Sequence, residues 1–317
     1  MHTELSVPDP ADRFGVSALV IFFLILAPGY LSADGWPQEE GKSYISITYG
    51  TSSSNEVYRF DGETKFPTDN GGTTVRDYPL ADRGLFLYGE HGLTGDLTLI
   101  ASVALKRAII VSPVERRVTE GLGDIGLAAR YRFLSSGPHV LSGRLGVTLP
   151  TGYRRDITPP LGTGVPTIGL GVEYGVSFWP TPAYATASLG YGLRPGIYSF
   201  SSLEDPDRTF EPDYADVITT SAEFGYTLDE RILIRGMARF LTTTRKDDND
   251  FDVTHPPETE RYLKLGGGLG ADLGRGLNLS ADLLVTPSGL KTAKSTDLLI
   301  GLAWKGSLLG TDEGTAE

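Results

Sequence analysis

The chain has 317 residues, no cysteine, 40 glycines and a formal net charge of −12. The length suits one large all-β domain or two ordinary ones. The missing cysteine excludes a disulfide scaffold and any thiolate metal site, and the acidic balance argues against a nucleic-acid partner, which requires a basic footprint. Glycine is over-represented and sits inside alternating runs, where a strand accepts it at crowded backbones or barrel bends.

The N-terminus carries an apolar run of 12 residues, Val16 to Ala27. A spanning helix needs roughly 20. Pro28-Gly29 and the small pair Ser32-Ala33 follow, so residues 1–33 read as a signal peptide cleaved near Ala33. The segment before the run is not basic, because Glu4, Asp9 and Asp12 outweigh Arg13, and a membrane-anchoring helix is the other reading. Residues 34–41 form a polar, periplasmic lead-in.

From there the chain alternates. Period-two patterning means strand, since successive side chains leave opposite faces of the pleat. The expected strands are Lys42–Gly50, Arg83–His91, Leu97–Ile110, Gly121–Leu134, His139–Leu149, Pro166–Phe178, Tyr184–Arg194, Tyr214–Leu228, Arg231–Leu241, Arg261–Leu273, Leu277–Thr286 and Thr296–Lys305. A polar tail, 306–317, closes the chain. Short turns follow the even-numbered strands and longer loops follow the odd-numbered ones. One face of nearly every strand is aliphatic and aromatic without a charge, as in Ile168, Leu170, Val172, Tyr174 and Val176. A soluble sandwich would hide such a face, with its aromatics in the core; a membrane accepts only a closed sheet. The expected fold is therefore all-β: a transmembrane antiparallel up-and-down β-barrel of 12 strands over 42–305, with both termini periplasmic and aromatic girdles at Phe133, Phe178, Tyr226 and Trp304 and at Tyr49, Tyr191 and Phe240. The expected location is a bacterial outer membrane. Its partners would be outer-membrane lipid and lipopolysaccharide, the barrel-assembly machinery for insertion, and a small-molecule solute.

Particular motifs narrow this further: Gly121-Leu-Gly-Asp-Ile125, Arg130-Tyr-Arg-Phe133, Leu145-Gly-Val-Thr-Leu-Pro-Thr-Gly152, Leu161-Gly-Thr-Gly164 and Gly169-Leu-Gly-Val-Glu-Tyr-Gly175. In these the stretch Leu93–Phe178 resembles the outer-membrane transporter family of the meta-pathway of phenol degradation. The resemblance implies a 12-stranded barrel and passage of small organic, hydrophobic or aromatic molecules.

No nucleophile–base–orienter set is evident: His139 and Ser142 fall on opposite faces of one strand, with Asp124 on its neighbour. No enzyme activity and no cofactor is expected. The informative residues are charges phased to the lumen: Lys106, Arg130, Arg132, Arg144, Glu173, Glu223, Arg235, Arg239, Lys264, Asp272, Asp282 and Asp297. Such charges on the lipid face would each cost roughly 2–4 kcal/mol at the midplane. Inside, they either polarise a pore or neutralise one another and fill it; 12 strands lie between filled and open barrels. The acidic loops Glu204–Asp213 and Asp247–Asp250 are solvated loops or divalent-cation contacts at the lipopolysaccharide surface. A channel, a non-conducting barrel with working loops and an outer-membrane hydrolase are the three functions to separate.

Overall fold

The computed structural model describes residues 35–65, 80–111, 116–151, 161–162, 164–195, 200–201, 209–210, 214–245 and 259–308. The leader 1–33, the acidic loop residues Glu204–Asp207 and Asp247–Asp250, and the tail beyond Leu308 lie outside them.

Twelve long strands close into one antiparallel barrel: β1 (Lys42–Ser54), β2 (Leu80–Gly92), β3 (Leu97–Val111), β4 (Arg116–Ser136), β5 (His139–Leu149), β6 (Thr167–Ser177), β7 (Ala183–Leu193), β8 (Val217–Leu228), β9 (Ile232–Thr243), β10 (Arg261–Gly274), β11 (Leu277–Leu290) and β12 (Thr296–Ser307). Each pairs with its neighbours in sequence. Closure is made by β12 against β1, in register from Lys42↔Ser307 to Ser53↔Thr296. No strand of this sheet is left with an unpaired edge, which is what a lipid environment requires.

The burial pattern is inside-out. Ile45, Ile47, Leu170, Val172, Leu283, Ile300 and Leu302 are exposed, while Asp82, Glu90, Lys106, Arg130, Lys264, Asp282 and Asp297 are buried. In β12 the alternation is unbroken: Asp297, Leu299, Gly301 and Ala303 point in, and Leu298, Ile300 and Leu302 point out. A continuous apolar exterior of this extent belongs in hydrocarbon. The outward aromatics Phe133, Phe178, Tyr226, Tyr49 and Tyr191 are exposed, and Phe133 packs edge-on to Tyr131.

The short turns lie at the end that carries both the start of β1 and the end of β12. Asp229 (φ 47°) and Glu230 (φ 59°) make a tight β8–β9 turn, in the left-handed conformation that a type I′ hairpin turn demands at both positions. At the opposite end Val57–Tyr58 pairs with Thr64–Lys65 and with Thr292–Ala293, and the Tyr58 hydroxyl donates to Thr286 O at 3.0 Å.

Strand ends differ from the sequence reading mainly at this long-loop end. β1 continues to Ser54, β4 starts at Arg116 inside the expected loop Val111–Glu120, and β11 runs through Pro287 to Leu290. These ends are polar, so the apolar alternation that marks a lipid-spanning stretch is missing while backbone pairing persists. At the other end β12 runs to Ser307, two residues into the expected tail.

Candidate functional site: an asymmetric lumen

All twelve charged positions phased inward lie on the inner parity of their strands, and cross-strand register brings most of them together. Arg130 on β4 is fully buried. Its Nε donates to Glu173 Oε2 at 2.6 Å and its Nη1 to Glu90 Oε1 at 3.2 Å. Glu173 also meets Arg144 Nη1 at 3.5 Å. The Tyr88 hydroxyl donates to Glu90. The result is one alternating chain of charge, Glu90–Arg130–Glu173–Arg144, across β2 to β6.

Three further pairs serve the rest of the wall. Lys264 Nζ lies 2.6 Å from Asp297 Oδ2, and Ser52 donates to the other Asp297 oxygen at 2.7 Å. Lys106 lies 3.4 Å from Asp82. Arg235 grips Asp282 through Nε at 2.9 Å and Nη2 at 2.7 Å. Gly268 makes this last pair possible. It stands in register between the two, and a Cβ there would sit 1.8 Å from Asp282 Oδ1. Glu223 accepts from the Tyr184 hydroxyl at 2.6 Å.

Three of the phased residues stand apart from these clusters. Arg132 sits near the short turns, paired with Asp96 at 2.6 Å. Asp272 is exposed at the same rim and accepts from Gly274 N. Arg239, in register between Ser221 and Lys264, has no hydrogen-bond or ion-pair partner among the described residues. Sequence reasoning left out Asp82, Tyr88 and Glu90. Counting by twos from Phe86 along β2 would have found all three.

The pairs share the β9–β3 side of the lumen with apolar side chains. Met237, Leu284 and Leu299 form a buried cluster. The Phe86 ring lies over Gly50 and Gly84, each with room for no Cβ, since the ring is 2.9 Å from both positions. Toward the long-loop end this side is filled. The β4–β8 side is not. Its inward row in register is Ala128, Gly146, Gly169 and Gly192, and the next rows add Gly126, Gly171, Gly190, Ser188, Thr219 and Ser221. A cavity of about 160 Å³ follows this wall, with Arg144 and Glu173 at its foot. A second, larger cavity, about 410 Å³, lies in the short-turn half, lined mainly by β8 to β12 and β1, with Tyr44, Tyr184, Glu223, Arg235, Ser280 and Asp282 among its walls.

The lead-in, expected from the sequence to be a polar periplasmic segment, lies with its described residues against the inner wall, where its backbone finds partners. Ser142 Oγ donates to Gly35 O at 2.6 Å, Arg130 Nη1 to Trp36 O at 3.2 Å, Gln38 N to Thr98 Oγ1 at 2.8 Å and Gln38 Nε2 to Glu90 Oε2 at 2.7 Å. The Trp36 indole meets Tyr184 edge-on, ring centres 6.3 Å apart.

At the long-loop mouth Leu161 and Val165 are buried, and Leu161 packs against Gly121 and Gly123 of β4. Arg194 N donates to Asp216 Oδ1 at 2.8 Å. Glu260, just ahead of β10, is buried; burial pushes its carboxyl up to about 7, against the opposing pull of Arg194 and Lys264.

A closed antiparallel barrel with an apolar exterior and a charged, partly open lumen defines the class of transmembrane β-barrels. Among solved structures, the chain is similar to the COG4313 outer membrane channel from Pseudomonas putida F1, with a TM-score of 0.63, 15% identity, and coverage of 87% of this chain and 99% of that one. It is also similar to the NanC porin, with a TM-score of 0.51, 7% identity, and coverage of 82% and 98%. No protein-family model matches the sequence, and no curated protein matches it. At these identities the likeness establishes the fold.

Proposed function

We propose that the chain is a bacterial outer-membrane channel that passes small molecules along the β4–β8 wall of its lumen. The observation that carries this is the division of the interior. In the long-loop half, ion pairs and apolar side chains pack the β9–β3 side, while the facing wall is bare glycine, serine and threonine beside a cavity, and toward the short turns the lumen widens into the second cavity. A barrel built only for stability has no need of a wall stripped of side chains, since cavities cost packing energy. The solved relatives by fold include an outer membrane channel and a porin, which supports the reading. A cavity of about 160 Å³ suits small solutes, and the motif resemblance extends this to hydrophobic or aromatic ones. Arg144 and Glu173 are the charges placed to sort them. Lipopolysaccharide at the outer rim and the assembly machinery during insertion are the partners such a barrel requires.

The test is reconstitution. Purified barrel in planar bilayers should give discrete conductance steps, and proteoliposomes should admit small solutes and exclude oligomers. Folded barrel that neither conducts nor admits solute would overturn the channel reading in favour of a non-conducting barrel. That second reading draws on the filled half of the lumen and on the lead-in that crosses it.

A further inference from the structure

Gly35 to Gln38 cross the lumen between the β2–β3 wall, where Gln38 bonds Thr98 and Glu90, and the β5–β7 wall, where Gly35 bonds Ser142 and Trp36 meets Tyr184. Trp36 thereby sits beside Gly175 on the same wall as the small-residue cavity, toward the short-turn end. We propose that this segment is a self-supplied gate, which closes the passage from the short-turn end and opens by leaving the wall as a unit. The inference rests on the channel reading above and adds to it the element that opens and shuts.

Three features distinguish a gate from a permanent strut. First, the wall is recessed to receive it. A Cβ on Gly175 would lie 2.8 Å from the Trp36 ring, and one on Gly35 would lie 2.9 Å from Gly175 N, so two side chains are missing where the segment seats. Second, the wall does not depend on it. Without the segment Arg130 keeps Glu90 and Glu173, and Glu90 keeps the Tyr88 hydroxyl, so departure strips no buried charge of its counter-ion. Three of the four hydrogen bonds use the segment's own backbone, groups that water satisfies equally once it leaves. Third, a hinge stands at its foot. Gly41 takes φ 71° with nothing within 4 Å of its Cβ position, and its N–H donates to Gly92 O at 2.9 Å just before β1 begins.

The native chain has no cysteine, so a single introduced thiol reports one position. Ser142→Cys places it under Gly35, at a residue with no exposure. In folded barrel, a membrane-impermeant maleimide should label Ser142→Cys slowly, and about tenfold faster or more when residues 35–38 are deleted or Trp36→Ala is added. Solute entry into proteoliposomes should rise in the same two backgrounds. Heat-modifiable gel migration selects folded barrel in every case, and Trp36→Ala serves where the deletion does not fold. Equal labelling with and without the segment would overturn the gate even if the barrel conducts. Fast labelling in a barrel that stays closed to solute in every variant would instead overturn the channel reading and reduce the segment to a cover.

Discussion

Arg130→Met isolates what the buried charge chain contributes. The side chain has no exposure, and its partners Glu90 and Glu173 have side-chain exposures of 1% and 8%. After the substitution Glu173 still has Arg144 at 3.5 Å. Among the described residues Glu90 keeps only two neutral donors, the Tyr88 hydroxyl and the Gln38 amide, and no cation. Leaving one buried carboxylate without its counter-ion costs about 3–5 kcal/mol. Adding Glu90→Gln removes the stranded charge and should return stability to within about 1–2 kcal/mol of the parent, because replacing a whole buried pair is often near neutral. Urea unfolding of the barrel in lipid vesicles, followed by tryptophan fluorescence and by heat-modifiable migration, reads the difference. The reasoning fails if Arg130→Met unfolds at the parent's urea midpoint, or if the double variant is no more stable than the single.

Two other outcomes follow from named contacts. Gly268→Ala drives a methyl into the Arg235–Asp282 pair, 1.8 Å from Asp282 Oδ1, whereas Gly169→Ala meets nothing nearer than 3.9 Å. The first should destabilise the barrel by about 2–4 kcal/mol; the second should leave unfolding unchanged and slow solute entry in a swelling assay. Glu260 supplies a pH dependence. Its folded value, about 7, lies above the ordinary 4.5, so the order it helps maintain is fully present below about 4.5 and is lost as pH rises through 7. Exchange of the Thr243 and Glu260 amides, which pair with each other's residues at 2.9 and 3.1 Å, should accelerate between pH 5 and 8 beyond the intrinsic rate. Glu260→Gln should remove the excess; a profile unchanged by that substitution would refute the assignment.

The strand order was legible because lipid enforces it. An outward position such as Leu170 or Ile300 tolerates no charge, so the alternation stays clean for the length of each span. At the outer ends that constraint lapses, and the reading stopped short at Gly50 and started late at Gly121. The inward direction of Arg130 or Lys264 could be counted off the same parity, but partners could not. Which carboxylate meets Arg130 depends on register across β2 to β6, including the shift between Val103 and Leu105, and sequence carries no record of that shift. The glycines of β5 to β7 signalled barrel curvature when the sequence alone was in view; their place beside the cavity emerges only from the register that lines them up. The lead-in had no period to read. Its one signal was Trp36, a large apolar residue in a polar stretch, which gains most by finding a surface.

The off-centre cavity along β4 to β8 separates two kinds of selection within a single chain. The residues that border it come from β4 to β8, a nearly continuous stretch of sequence, while the pairs that brace the far side come largely from β9 to β12 and from β1 to β3. Small substitutions at Gly169 or Gly171, where a Cβ meets only ordinary contacts, can therefore retune width without disturbing the bracing. Under the proposed channel function, a lineage of such barrels could change what it admits through one segment, and leave untouched the part that allows the protein to persist in the membrane.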